Sequence, residues 1–112
     1  MKVFTSLLAL GLLASPAFAE TKSFNNVSVI DAMCSKKAAA NPDAHTRACA
    51  LQCEGSGYGI ITSDGTFLKF DPDGNAKIAA ELKSSKKTDH LRVNVKGDVE
   101  GDTLKVQSVQ LL

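Results

Sequence analysis

The chain has 112 residues, with 13 Lys and Arg against 12 Asp and Glu, so it has no whole-molecule charge that would draw nucleic acid or an anionic membrane. A length of this order buries one modest core. Five Phe, one Tyr and no Trp are a thin supply for base stacking, which further disfavours nucleic acid as a partner.

Met1-Lys2 opens a basic end, and Val3 to Leu13 is mostly apolar. Ser15-Pro16-Ala17-Phe18-Ala19 places small residues at −3 and −1 of a cut after Ala19. The apolar run is shorter than the roughly 20 residues a membrane span requires, and no cysteine follows the cut to take a lipid. The expectation is residues 1–19 as a signal peptide and residues 20–112 as a single domain. That domain would be exported and soluble, in a periplasm or secreted, without a membrane anchor and monomeric.

Phe24 to Met33, with Val27, Val29 and Ile30, predicts the first strand. Ser35 to Ala40 is open between loop and a weak helical turn. Asn41-Pro42 reads as a helix start, Asn41 as N-cap and Pro42 at the first helical position, with the helix running to about Glu54 and ended by Gly55 and Gly57. Tyr58 to Thr62 and Thr66 to Phe70 flank Ser63-Asp64-Gly65, a strong hairpin signal. Asp71-Pro72-Asp73-Gly74-Asn75 is a second turn before a helix from about Ala76 to Lys83, with Asp73 or Asn75 as its cap and Ile78, Ala79 and Leu82 as its apolar stripe. Leu91, Val93, Val95 and Val99 alternate down a long strand broken at Gly97, where a bulge is expected. After Glu100-Gly101-Asp102 the last strand runs from Thr103 to Leu111, and its apolar phase shifts between Val106 and Val109, a second expected bulge.

Five strands with a helix between the third and fourth is the order of a small Greek-key barrel. The fold class is therefore mainly β, a five-stranded OB-fold-like barrel with a helical insertion between strands 1 and 2. A five-stranded α+β sheet is the competing architecture.

Chemistry concentrates in the insertion, where Cys34, His45, Cys49 and Cys53 hold every cysteine and one of the two histidines. On one straight helix His45, Cys49 and Cys53 would sit at i, i+4 and i+8, a slanted stripe about 12 Å long. Zinc bonds of about 2.0–2.3 Å cannot span it. One metal would take His45 with Cys49, or Cys49 with Cys53, and Cys34 from the strand end, with Asp31 or water as a fourth ligand. Thiolate and imidazole together suit zinc or copper. The competing reading is a disulfide. Helical i,i+4 β-carbons are about 5–6 Å apart, wider than the 3.5–4.5 Å or so a disulfide wants, so Cys34 with Cys49 or Cys53 is the better bridge. Buried unpaired thiols are the third reading. A thioredoxin-type redox role is disfavoured, since that chemistry uses Cys-x-x-Cys at a helix start and here both helical cysteines fall late in the expected helix.

The motifs Asp31-Ala-Met-Cys34, His45-x-x-x-Cys49-Ala-x-x-Cys53 and Gly57-Tyr58-Gly59 resemble those of a group of small exported bacterial proteins that place them before an OB-like set of strands. The resemblance spans most of residues 20–112. It implies the barrel and the importance of the Cys/His stretch, and it carries no activity.

Two weaker signals remain. Asp71, Asp73 and Asn75 match three positions of a calcium loop, but Ala76 and Leu82 stand where glycine and glutamate belong. Lys83, Lys86, Lys87, His90, Arg92 and Lys96 form a basic stretch that could hold a polyanion on a barrel face, although lysines guarding an edge strand explain it more simply. No Ser-His-Asp order, paired-carboxylate signature or phosphate loop is present, which argues against an enzyme. The sequence thus predicts a non-enzymatic binding or interaction module for an unnamed protein or small ligand. Soft-metal binding is the first alternative, and oligonucleotide or oligosaccharide binding is the second.

Overall fold

The first strand decides how the barrel closes. In the computed structural model, which describes residues 20–112, β1 runs Glu20–Asp31, starting earlier and stopping sooner than expected. Its first half is polar and exposed, so hydropathy could not reveal it. Glu20 to Phe24 pair antiparallel with Val99 to Val95 of β4 (Arg92–Glu100), and Ser28 to Asp31 pair with Ile61 to Tyr58 of β2 (Tyr58–Ile61). Between these halves the register slips at Asn25-Asn26. Asn26 takes a φ of 55° there, a conformation asparagine tolerates better than most residues. The slip bends β1 so that one strand serves both neighbours.

β2 and β3 (Phe67–Phe70) form the expected hairpin, turned by Gly65 at a φ of 86°. β3 then lies parallel to β5 (Thr103–Leu111), and β5 pairs with β4. The resulting order, β1-β2-β3-β5-β4 and back to β1, is a closed five-stranded barrel with the OB-like arrangement.

The two bulge signals on the last strands turn out to be one feature. Lys96 opposes Ser108 but Gly97 opposes Val106, so Gln107 is the extra residue. A Cβ at position 97 would lie 2.3 Å from the Lys105 carbonyl oxygen, so only glycine admits this approach.

The helix between β3 and β4, to be called α3 after two shorter ones in the insertion, runs Pro72–Ser84, one turn earlier than expected. Its cap is Asp71, whose Oδ1 accepts from the Gly74 N–H at 3.1 Å and from Val106 N–H of β5 at 3.0 Å. Neither Asp73 nor Asn75 serves as cap. Asn75 instead accepts the Tyr58 N–H at 2.8 Å, fixing the start of β2. Ile78, Ala79 and Leu82 of α3 are buried with Val29, Ile60, Leu68, Phe70, Val93 and Leu104 in the core. Among the described residues no helix is long and apolar enough to cross a membrane. The expected leader, Met1 to Ala19, lies outside the described residues.

The insertion, residues 32–57, is not one long helix. Three 3-10 turns, Ala32–Cys34, Pro42–Ala44 and Glu54–Ser56, separate two short helices, α1 (Ser35–Ala38) and α2 (Arg47–Gln52). Asn41-Pro42 starts only the middle turn, and the α2 cap is Thr46, whose hydroxyl accepts the Cys49 N–H at 3.2 Å. Within residues 32–57 Ala50 is the single buried residue, so polar bonds hold the insertion to the barrel. Arg92 grips Asp43 with two bonds of 3.0 and 2.9 Å. Arg47 donates to the carbonyls of Lys87 and Leu82 at 2.7 and 3.2 Å. The Tyr58 hydroxyl donates to the Ala50 carbonyl at 2.8 Å.

Candidate metal centre

Asp31 ends β1 with no exposure to solvent. A carboxylate removed from water must be matched by donors, and both its oxygens are. Oδ2 accepts the Cys34 N–H at 3.0 Å, which caps the 3-10 turn Ala32–Cys34. Oδ1 lies 2.5 Å from Nε2 of His45. His45 arrives there because the chain leaves the Pro42–Ala44 turn extended, at φ −73° and ψ 129°. Its side chain is only 9% exposed.

Cys34 and Cys53 occupy joints. Cys34 sits between the first 3-10 turn and α1, Cys53 between α2 and the last 3-10 turn, with nearly the same backbone (φ −102° for both, ψ 12° and 23°). Their sulfurs and an Asp31 carboxylate oxygen lie within 4.8 Å of one another. Burial raises the Cys34 thiol above its usual range, and the Asp31 charge and Cys53 act in the same direction. The Tyr58 phenol beside this group is pushed up to about 12, chiefly by burial and then by the charges of Glu54, Asp31 and Cys53.

The expected site residues therefore divide. Cys34 and Cys53 meet directly. His45 joins through Asp31 rather than by sharing a helical face with Cys49, because it precedes α2. Cys49 is exposed, in the first turn of α2 and not late in a long helix, and it is not part of the Asp31–Cys34–Cys53 group. It shares with Cys34 and His45 the lining of an open pocket of about 360 Å³. The structure contains no disulfide among the described residues: Cys34, Cys49 and Cys53 are all free thiols. Of the two pairings expected from Cys34, to Cys49 or to Cys53, the second has its sulfurs close.

Comparison with protein-family models, curated proteins and solved structures finds no match.

The geometry of the site gives Asp31 a larger place than the sequence suggested. The Asp-x-x-Cys spacing was the available signal, because an aspartate three residues before a turn end is well placed to cap it. Nothing local announced the Asp43–Arg92 and Tyr58–Ala50 contacts, which hold the insertion in place across distant parts of the chain. Half of the basic stretch is committed to pairs: Lys83 with Glu54 at 3.0 Å, His90 with Asp89 at 2.8 Å, and Arg92 with Asp43. The calcium-like loop spends Asp71 and Asn75 on backbone N–H groups.

Proposed function

We propose that this protein binds a thiophilic metal ion, zinc in the first instance, through Asp31, Cys34 and Cys53, with His45 behind the carboxylate. The observation that supports it is the donor set itself, two sulfurs and a carboxylate oxygen mutually within 4.8 Å. Tetrahedral zinc with bonds of about 2.0–2.3 Å needs ligand atoms roughly 3.5 Å apart, so closing on an ion requires shifts of no more than about 1 Å. A hard carboxylate oxygen beside two thiolates favours zinc over copper(I), which prefers soft donors alone. His45 would do what outer partners of metal carboxylates do, fixing which oxygen lone pair faces the ion. A fourth position is left for water or a small ligand. The barrel would then be a scaffold for an exported, non-enzymatic metal-binding module, and the resemblance to small exported proteins fits that setting.

The test is metal titration of the reduced chain, with cobalt(II) as spectroscopic probe and a zinc chelator as competitor. A one-to-one complex with thiolate-to-cobalt absorption is expected, lost in Cys34→Ser and in Cys53→Ser and kept in Cys49→Ser. Removing one ligand should weaken zinc by at least the 10–100-fold typical of losing even an outer partner. Equal binding in the Cys34→Ser/Cys53→Ser double variant would refute the assignment.

A further inference from the structure

We propose that Cys34 and Cys53 form a reversible dithiol–disulfide pair, oxidised through the open pocket at Cys34, with Cys49 left outside the bridge. This deepens the metal reading, since the thiols oxidised are the two thiolates that would hold the ion, and oxidation would expel it.

The two sulfurs start within 4.8 Å, and a bond needs about 2.05 Å. Both residues sit at joints between short elements, and one χ1 step between staggered wells swings a sulfur by about 3 Å. No helix has to unwind. Cys49 sits inside the first turn of α2, with its N–H held by Thr46, and its sulfur lies outside the close group. The helix that carries it is itself anchored through Arg47 and the Ala50 carbonyl.

Access sets the order of events. Cys34 lines the open pocket together with Lys37, His45 and Cys49, whereas Cys53 does not. With an organic disulfide RSSR as oxidant, the Cys34 thiolate attacks one sulfur, forming Cys34–S–S–R and releasing RS⁻. The Cys53 thiolate then attacks the Cys34 sulfur, forming Cys34–S–S–Cys53 and releasing the second RS⁻. Two electrons pass from the protein thiols to RSSR, and each RS⁻ takes up a proton. Where a metal had been bound it leaves as the free dication.

The experiment equilibrates the purified chain with oxidised and reduced glutathione, quenches with acid and alkylation, and maps linked peptides by mass. Wild type and Cys49→Ser are compared metal-free and zinc-loaded, and Cys53→Ser metal-free. Expected are a single Cys34–Cys53 linkage in wild type and equally in Cys49→Ser, and a glutathione mixed disulfide stalled on Cys34 in Cys53→Ser. Zinc should be released one ion per bridge formed. A Cys34–Cys49 linkage, or modification confined to Cys49, overturns the proposal, as does a Cys34–Cys53 pair that stays reduced in excess oxidised glutathione. If the bridge forms in a chain that takes no zinc, the metal reading fails and this one stands. If zinc binds and no bridge forms, the reverse holds.

Discussion

Asp31→Ala tests whether the buried carboxylate organises the insertion. The substitution removes the acceptor of the Cys34 N–H at 3.0 Å and the partner of His45 Nε2 at 2.5 Å. Each bond to a charged acceptor contributes about 1.5–3 kcal/mol, and a buried donor left without its acceptor costs about 1–3 kcal/mol. The two losses share one side chain and do not add fully, so about 3–5 kcal/mol in total is expected. For a chain of this size that corresponds to a Tm drop of at least about 12 °C. Asp31→Asn keeps an oxygen for Cys34 and should cost only about 1–2 kcal/mol. The assay is urea unfolding of the reduced, metal-free protein at neutral pH, with amide exchange at Cys34 followed in parallel. A loss below about 1 kcal/mol for Asp31→Ala, with unchanged Cys34 exchange, would refute the reasoning. So would additive losses in an Asp31→Ala/His45→Ala cycle, since contacting residues should couple.

Tyr58→Phe leaves the Ala50 carbonyl without its 2.8 Å donor, so urea unfolding should show a loss of about 1–2 kcal/mol. Gly97→Ala drives a Cβ to 2.3 Å from the Lys105 carbonyl oxygen. That neighbour is backbone and cannot step aside, so the urea midpoint should fall by the equivalent of about 1–3 kcal/mol. Asp43 carries a pH signature: the bonds from Arg92 hold its carboxyl below the usual 3.8. Its stabilisation is fully present above that unfolded value and is lost as pH falls through the depressed folded value. Melting curves of wild type and Asp43→Asn should therefore differ by a constant amount at neutral and mildly acidic pH and converge below pH 3.8. A gap that persists at lower pH would count against the Arg92 pair as its source.

Strand alternation and two turn signals were enough to recover the barrel order, because each strand shows its apolar face and each hairpin its Asp-Gly or Glu-Gly-Asp turn. What alternation could not show was pairing by polar residues: Glu20 to Ser23 are held by the β4 ladder and bury almost nothing. The long helix expected over residues 42–54 failed for a related reason. His45, Cys49 and Cys53 are spaced like one helical face, but Thr46 offers its hydroxyl to the Cys49 N–H and starts the helix afresh. A threonine cap competes with helix continuation, and hydrophobic spacing does not register it. At the site, Asp31 and Cys34 were legible as a motif, whereas the turn between them, read as strand to Met33, and the choice of Cys53 over Cys49 were not. That choice depends on how the α2 end returns to β1, a matter of tertiary placement rather than spacing.

The insertion's thin core connects the site to stability. With Ala50 alone buried between Ala32 and Gly57, apolar packing contributes little to its order. Asp31, Cys34 and Cys53 belong respectively to the end of β1, the first turn and the end of α2, so any bond joining them fastens segments that otherwise rely on polar contacts. A metal at 100 times its dissociation constant would stabilise the state that binds it by about 2.7 kcal/mol. A Cys34–Cys53 bridge would close a loop of about 20 residues, worth roughly 3 kcal/mol in the chain-entropy model. The two occupancies use the same sulfurs and exclude each other, yet they should order the insertion to a similar degree. The reduced, metal-free protein is then the loosest of the three states. Amides from Ser35 to Cys53 should exchange fastest in that state and more slowly in the zinc-bound and oxidised forms, while those of β4, paired on both sides in the barrel, should change little among the three. Slowing in β4 as large as that in the insertion would mean that ligation stabilises the whole barrel and that the insertion is not a separately ordering unit.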